Sequence, residues 1–452
     1  MDGTALPVVV IGAGPVGLAA AAELLEQGLE PLVLEAGPEP AASVREWGHV
    51  RLFSPWEWVV DPAAQRLLEK QGWTAPDPQQ YPTGAEWVER YLAPLAEALG
   101  ERVVTGARVV GLTRRGRDRV VDAGRDTEPL VLHVRTSHEE ERVQARAVVD
   151  ASGTWTSANP LGGDGMPAIG ERAAAGRIRA AVPDLSNTAE RARYAGRHVA
   201  VAGSGHSALT ALAGFAALVS EEPSTTVSWL LRRAGFGQVF GGGDADQLPA
   251  RGALGQRAAE AVRAGSVSPV FGFRTERVEQ DADGRLTLVS DDGARVVGVD
   301  EVVVVTGFRP ALSWLSEVRL ELDPTLQAPV RLAPLIDPNV HSCGTVYPHG
   351  AAELAQPEPG LYLAGMKSYG RAPTFLARTG YEQVRSIAAE LAGDHEAAAR
   401  VELVLNETGV CGGAGLFDAV TSAAETTAGS GCCSTPDASE RGEPVSVGGA
   451  GV

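Results

Sequence analysis

Val8-Val9-Val10-Ile11-Gly12-Ala13-Gly14-Pro15-Val16-Gly17 is the stretch whose reading decides the fold. Four β-branched residues in a row read as a strand buried on both faces. The glycine-rich loop follows at once. Leu18 to Gln27 is rich in Ala and Leu and reads as a helix, closed by Gly28 in the C′ position. Pro31-Leu32-Val33-Leu34 reads as a second parallel strand, ending in Glu35. Strand, G-x-G-x-x-G loop, helix, strand and acid in that order form a dinucleotide-binding βαβ unit. Gly12 permits the tight turn, Gly14 lets the backbone approach a pyrophosphate, and Gly17 lets helix and strand pack closely. The helix N-terminus offers free N–H groups and the positive end of its dipole to phosphates. Glu35 is placed to accept ribose hydroxyls. An acid there disfavours a 2′-phosphate, so the site suits FAD or NAD.

A second unit of the same kind begins at Arg197-His198-Val199-Ala200-Val201-Ala202. Its loop is Gly203-Ser204-Gly205-His206-Ser207-Ala208, its helix runs Leu209 to Val219, and its next strand, Thr226 to Leu231, ends in Arg232-Arg233. Where the first unit has an acid, the second has two guanidinium groups, the sign expected for the 2′-phosphate of NADPH. The plainer alternative is a pair of solvated surface charges. Two such units imply two nucleotides, or one nucleotide and a degenerate copy, and FAD in the first with NADPH in the second is the economical assignment.

Outward from these loops the chain divides. Residues 1–165 open the FAD domain, with a Trp-rich insertion at 41–95 that holds Trp47, Trp56, Trp58, Trp73 and Trp87. That insertion reads either as an aromatic satellite core or as a wall over the flavin, with Arg51 and Ser54 reaching towards it. Val148-Val149-Asp150-Ala151-Ser152-Gly153 reads as a strand ending in a small-residue turn beside the FAD. Residues 196–300 form the NADPH domain. Val302 to Pro310, with Thr306 and Gly307, is a second strand and turn of that kind, where the chain crosses back. Residues 301–395 complete the FAD domain with the strand Gly360–Gly365 and a closing helix over Thr374 to Leu391. A C-terminal extension, 396–424, leads to a tail, 425–452, without Leu, Ile or aromatics, which cannot bury enough apolar surface to order itself. The fold class is therefore α/β: two Rossmann-like dinucleotide-binding domains, a split FAD domain with an inserted NADPH domain, plus a flexible C-terminal tail.

Composition agrees and excludes some functions. The chain has 452 residues, 44% hydrophobic and 21% charged, with 54 glycines and a net charge of −18. Nucleic acid and anionic membrane surfaces call for a basic patch, so neither is an expected partner. No segment approaches the roughly 20 apolar residues of a bilayer span, and Met1-Asp2-Gly3-Thr4 lacks the basic start of a signal peptide. Four cysteines in so long a chain make no disulfide framework, and the expected setting is the cytoplasm.

The sequence resembles two-dinucleotide flavoproteins of the flavin-containing monooxygenase-like group, on Gly12–Gly17, Gly203–Ala208 and Val302–Pro310. Within that group His341-Ser342-Cys343-Gly344-Thr345-Val346 and Met366 to Phe375 resemble flavin-dependent monooxygenases associated with arsenic-resistance operons. The resemblance implies that NADPH reduces FAD and that the reduced flavin and O2 oxygenate a soft nucleophile such as S, N, Se or trivalent As. It also implies a homodimer by analogy. Two departures stand out. The group's Phe-x-Gly-x-x-x-His signature is absent from 155–195, which holds no His. The last FAD strand ends Gly365-Met366-Lys367, where the group usually has Gly-Asp.

Lys367 is one of only two lysines, with Lys70, and reads either as a surface charge or as a point charge on phosphate or reduced flavin. Candidate catalytic residues are thus Lys367, His341 and Cys343; His341 or His349 either holds Cys343 as a thiolate or acts as an acid, and the alternative is that Cys343 is a small buried residue. There is no C-x-x-C, which argues against a dithiol beside the flavin. Cys411, Cys432 and Cys433 form a candidate set of thiols for a thiophilic metalloid. A linker like that between Cys411 and Cys432 has an r.m.s. span of roughly 25 Å, so its ends can meet. The alternative is a tail without a role.

Overall fold

The computed structural model describes residues 6–403 except Gln247, 341–348 and Thr374. The βαβ reading holds. Strand Val8–Ile11 is fully buried, and helix Pro15–Glu26 follows, with Pro15 in its first turn and Gly28 in the left-handed region just beyond its end. Strand Pro31–Leu34 returns parallel to the first, pairing Val8 with Pro31 and Ile11 with Leu34. Ala147–Asp150 lies on the other side, and Leu361–Leu363 beyond it. With Val103–Val104 at the far edge, these make a five-stranded parallel sheet.

The second sheet repeats the plan, in the order Ser268–Val270, Thr226–Leu230, His198–Ala202, Glu301–Val304 and Ile178–Arg179, all parallel. Each parallel sheet has a three-stranded antiparallel companion. One is Arg108–Arg114, Leu130–Arg135 and Glu140–Ala145; the other is Thr275–Gln280, Leu286–Ser290 and Arg295–Val299. In both halves the last companion strand runs straight into a parallel strand that ends in a small-residue turn, Asp150–Gly153 or Val304–Gly307.

This topology corrects the domain boundaries. Val302 to Val304 do not join the first sheet, as expected of 301–395: they pair with Ala200 to Ala202 in the second. Ile178–Arg179, ahead of the expected start at 196, joins the same sheet. The chain crosses between the halves just beyond these strands, and the two crossings are zipped together. Asn159 donates from its backbone N–H to the Gly307 carbonyl at 2.9 Å and from its side chain to the Thr306 carbonyl at 2.9 Å. Arg309 donates to the Asn159 side-chain oxygen at 2.6 Å, and Trp155 packs on Phe308 with ring centroids 5.0 Å apart.

The Trp-rich insertion is not a satellite. Trp56 and Trp87 are buried in one continuous cluster with Val8, Val10, Leu18 and Leu24, and Trp47 and Trp73 pack against it. Trp58 lies under the Arg378 guanidinium, 5.6 Å from its ring centroid. The closing helix spans Ala377–Ala392, three residues later at its start than the Thr374 expected, and Gly393 caps it in the left-handed region. A short helix, His395–Ala399, follows. The extension beyond residue 403 and the whole 425–452 tail lie outside the described residues. Among the described residues no helix is long and apolar enough to cross a membrane.

Candidate functional site: two glycine cradles

The first cradle sits at the C-terminal end of the parallel strands, where open α/β sheets bind ligands. Gly12 turns there with φ +96°, and a Cβ on it would lie 2.9 Å from both the Ala151 oxygen and the Ser152 Cα. Gly14, by contrast, faces open space and caps the Pro15–Glu26 helix, with no side-chain hydrogen bond to its N-terminus. The free N–H groups of that turn are therefore left for an anion. The turn Ala151-Ser152-Gly153 forms the opposite wall; Ala151 donates to Ile11 at 3.0 Å, and Gly153 has φ +67° with open space beside it. A narrow cradle walled by backbone, open at Gly14 and Gly153, fits a dinucleotide pyrophosphate.

Glu35 does more than await a ribose. One carboxylate oxygen accepts the Ala13 N–H at 2.7 Å and the other the Gly37 N–H at 2.7 Å. It thus pins the glycine loop to the second strand, and only its remaining lone pairs face outward. Gly365 has φ +67° and donates its N–H to the buried Gln383 side chain at 2.7 Å. Gln383 also meets Ser368 Oγ at 3.0 Å and His349 Nε2 at 2.9 Å, so the closing helix holds the last turn of the first sheet.

Lys367 is not a surface charge. Its side chain is fully buried, with Nζ 2.6 Å from Asp150 Oδ2 and 3.0 Å from Ser152 Oγ. An ammonium without water needs a compensating charge, and Asp150 supplies it. Arg51 is mostly exposed, donates to the Tyr81 carbonyl, and faces Glu86 at 3.8 Å. With Trp56, Gln79, Gln80 and Arg90 these residues line an outer hollow of about 410 Å³. Ser54 is buried.

The second cradle follows the first closely. Gly203 has φ +135°, and a Cβ there would sit 2.3 Å from the Val305 oxygen; Gly205 faces open space and caps helix His206–Glu221. Ala208 is buried against the core, while Ser207 is exposed and Ser204 half-buried. Trp229, from the next strand, donates its indole N–H to the Gly203 carbonyl at 2.7 Å and so braces the loop. His206 packs on Phe53 with ring centroids 5.2 Å apart, joining the two halves. Burial, then the charge of Arg251, pushes its imidazole down to about 4, so it is neutral at pH 7. Arg232 donates to the Gly163 carbonyl at 3.2 Å, and Arg233 follows it beside the end of the strand. Thr306 and Gly307 are the turn that Asn159 holds.

His341, Cys343, Cys411, Cys432 and Cys433 lie outside the described residues. Sequence reasoning missed Asp150 as Lys367's partner, Gln383, Asn159 and Trp229. Each is an ordinary residue until folding brings it to a loop, although Asp150 at the end of an apolar strand was a visible signal.

Two cradles, both at strand C-termini and both built on a G-x-G loop, define a two-dinucleotide oxidoreductase. Residues 6–357 match the pyridine nucleotide-disulphide oxidoreductase family, and the chain belongs to it. Solved structures share this fold. The bacillithiol disulfide reductase of Bacillus cereus superposes with a TM-score of 0.62 at 19% identity, over 86% of this chain and 99% of that one. The cadaverine monooxygenase of desferrioxamine biosynthesis from Erwinia amylovora, bound to FAD, gives 0.61 at 14%, over 90% and 98%. A flavin monooxygenase from Stenotrophomonas maltophilia gives 0.56 at 23%, over 86% and 98%. No curated protein matches this chain.

Proposed function

We propose that this oxidoreductase is an FAD- and NADPH-dependent monooxygenase of a soft nucleophile, with a trivalent arsenical as its substrate, working in the cytoplasm. The observation that carries the reading is a first cradle with no thiol among its described walls. Those walls are Gly12–Gly17, Ala151–Gly153 and Gly365, and none of these segments contains a cysteine. Dithiol exchange needs a thiolate beside the flavin; oxygen chemistry needs only the flavin, O2 and a dry pocket.

In this reading the glycine loop and the N-terminus of helix Pro15–Glu26 hold the FAD pyrophosphate, and Glu35 takes a ribose hydroxyl on its outer lone pairs. FAD, when bound, supplies the two-electron and O2 chemistry that side chains lack. Gly203–Ala208 and the N-terminus of helix His206–Glu221 hold the NADPH pyrophosphate, with Arg232 and Arg233 on its 2′-phosphate. The neutral His206 and Phe53 pack on each other where the halves meet.

The deciding experiment reduces the purified yellow protein with NADPH without oxygen, then mixes it with O2 and follows the flavin spectrum. A distinct species before reoxidation, decaying faster with a trivalent arsenical, is expected. Direct reoxidation with no such species would mean a reductase of the same fold, or a flavoprotein that only binds its metalloid. Capture of substrate by the tail has its own test. The triple variant Cys411→Ser, Cys432→Ser and Cys433→Ser should raise KM for the arsenical and leave that for NADPH alone; unchanged kinetics would remove the idea.

A further inference from the structure

Asp150 and Lys367 end neighbouring parallel strands, since Leu363 pairs with Asp150 and Lys367 lies in the turn Gly365–Tyr369 just beyond. Both side chains are fully buried. The ammonium meets Asp150 Oδ2 at 2.6 Å and Ser152 Oγ at 3.0 Å, and it lies 4.7 Å from the centroid of the Trp314 ring. Ser152 in turn donates its hydroxyl to Asp150 Oδ1 at 2.6 Å and its backbone N–H to the same oxygen at 3.1 Å. The Ser152 proton is therefore committed, and the hydroxyl is an internal strut.

The strut ends at the glycine loop. Ser152 Cα is one of the two atoms that a Cβ on Gly12 would strike at 2.9 Å. Lys367, Asp150, Ser152 and Gly12 thus form one line of contacts from the last strand to the turn of the first loop. A buried ion pair adds little net stability over apolar residues of the same volume. It does fix geometry, because each charge allows its partner few positions. We propose that Lys367 is a positioning residue that holds the Ala151-Ser152-Gly153 turn against Gly12 and so sets the width of the first dinucleotide cradle. The inference rests on the FAD part of the proposed function.

The test compares the wild-type protein, Lys367→Met and the double variant Lys367→Met with Asp150→Asn. Two quantities are read on each: the FAD Kd by flavin fluorescence, and the melting of the flavin-free protein by circular dichroism. Lys367→Met leaves a buried carboxylate unpaired, so both readings should worsen. The double variant removes both charges and should restore melting. Its FAD Kd should stay raised by about tenfold, the scale of one lost hydrogen bond to a charged group. A purely structural role would restore the Kd together with the melting, and that result would overturn the proposal. A wild-type protein that takes up no FAD would instead overturn the cofactor reading, and this inference with it.

Discussion

A Cβ on Gly17 would lie 1.8 Å from the carbonyl oxygen of Gly12. The first and third glycines of the loop are in effect touching. The second glycine, Gly14, faces open space and has φ −80°, which alanine adopts freely. The two positions therefore answer different questions. Gly17→Ala must push the helix off the strand and should lower the melting temperature sharply. Gly14→Ala should melt like wild type yet bind FAD at least tenfold more weakly, since its methyl occupies the ligand's side of the cradle. Melting curves and FAD titrations on the two variants check both halves.

The two arginines after strand Thr226–Leu230 should decide between nicotinamide nucleotides. A guanidinium on a phosphate is a charge-assisted bond of about 1.5–3 kcal/mol. Arg232→Ser with Arg233→Ser should therefore raise KM for NADPH by about tenfold to a hundredfold and leave KM for NADH nearly unchanged. Steady-state kinetics with both nucleotides give the answer; equal losses would return these residues to the role of surface charges.

Two buried acids should make the fold sensitive to alkali. Glu23, on helix Pro15–Glu26, and Asp61, which caps helix Pro62–Glu69, interact where those helices pack with Tyr91 and Tyr381. Burial first, then Asp61 and Glu26, pushes Glu23 up to about 9, against the pull of Arg66 and Arg385. Burial likewise pushes Asp61 up to about 7, against the N–H of Ala64. Both folded values stand above the unfolded ones, 4.5 and 3.8. The contribution to stability is thus full below pH 4 and is lost as pH rises through 7 and on to 9. The melting temperature should fall over that range. In Glu23→Gln the fall should be shallower, because the amide keeps the neutral form without a proton. Thermal unfolding between pH 5 and 9 measures it.

Glu358 joins three distant segments. It is fully buried, with Arg114 and Arg125 at 2.8 and 2.7 Å and the Arg319 N–H at 3.2 Å. Burial works to raise its pKa, but the hydrogen bonds from Arg125 and Arg114 prevail and hold it below the usual carboxylate range. Glu358→Ala would strand two buried guanidinium groups, so it should cost about 3–5 kcal/mol in urea unfolding. A loss below about 1 kcal/mol would mean that water reaches the pair.

Sequence alone determined what is local. The β-branched run, the glycines at fixed spacing and the Ala-rich helix of 8–28 all lie within a few turns of chain, and each has one conformation it prefers. The second loop was legible for the same reason, as was the sign change from Glu35 to Arg232-Arg233. Tertiary structure decided everything that depends on which strands lie side by side. Lys367 and Ser152 are 215 residues apart. Only the placing of Leu361–Leu363 beside Ala147–Asp150 turns that lysine from a free charge into the partner of Asp150. The same holds for Glu301–Val304, whose run of valines suits either parallel sheet equally well. A buried strand's apolar pattern names no neighbour; the neighbour is set by the crossovers and by the packing that closes each core.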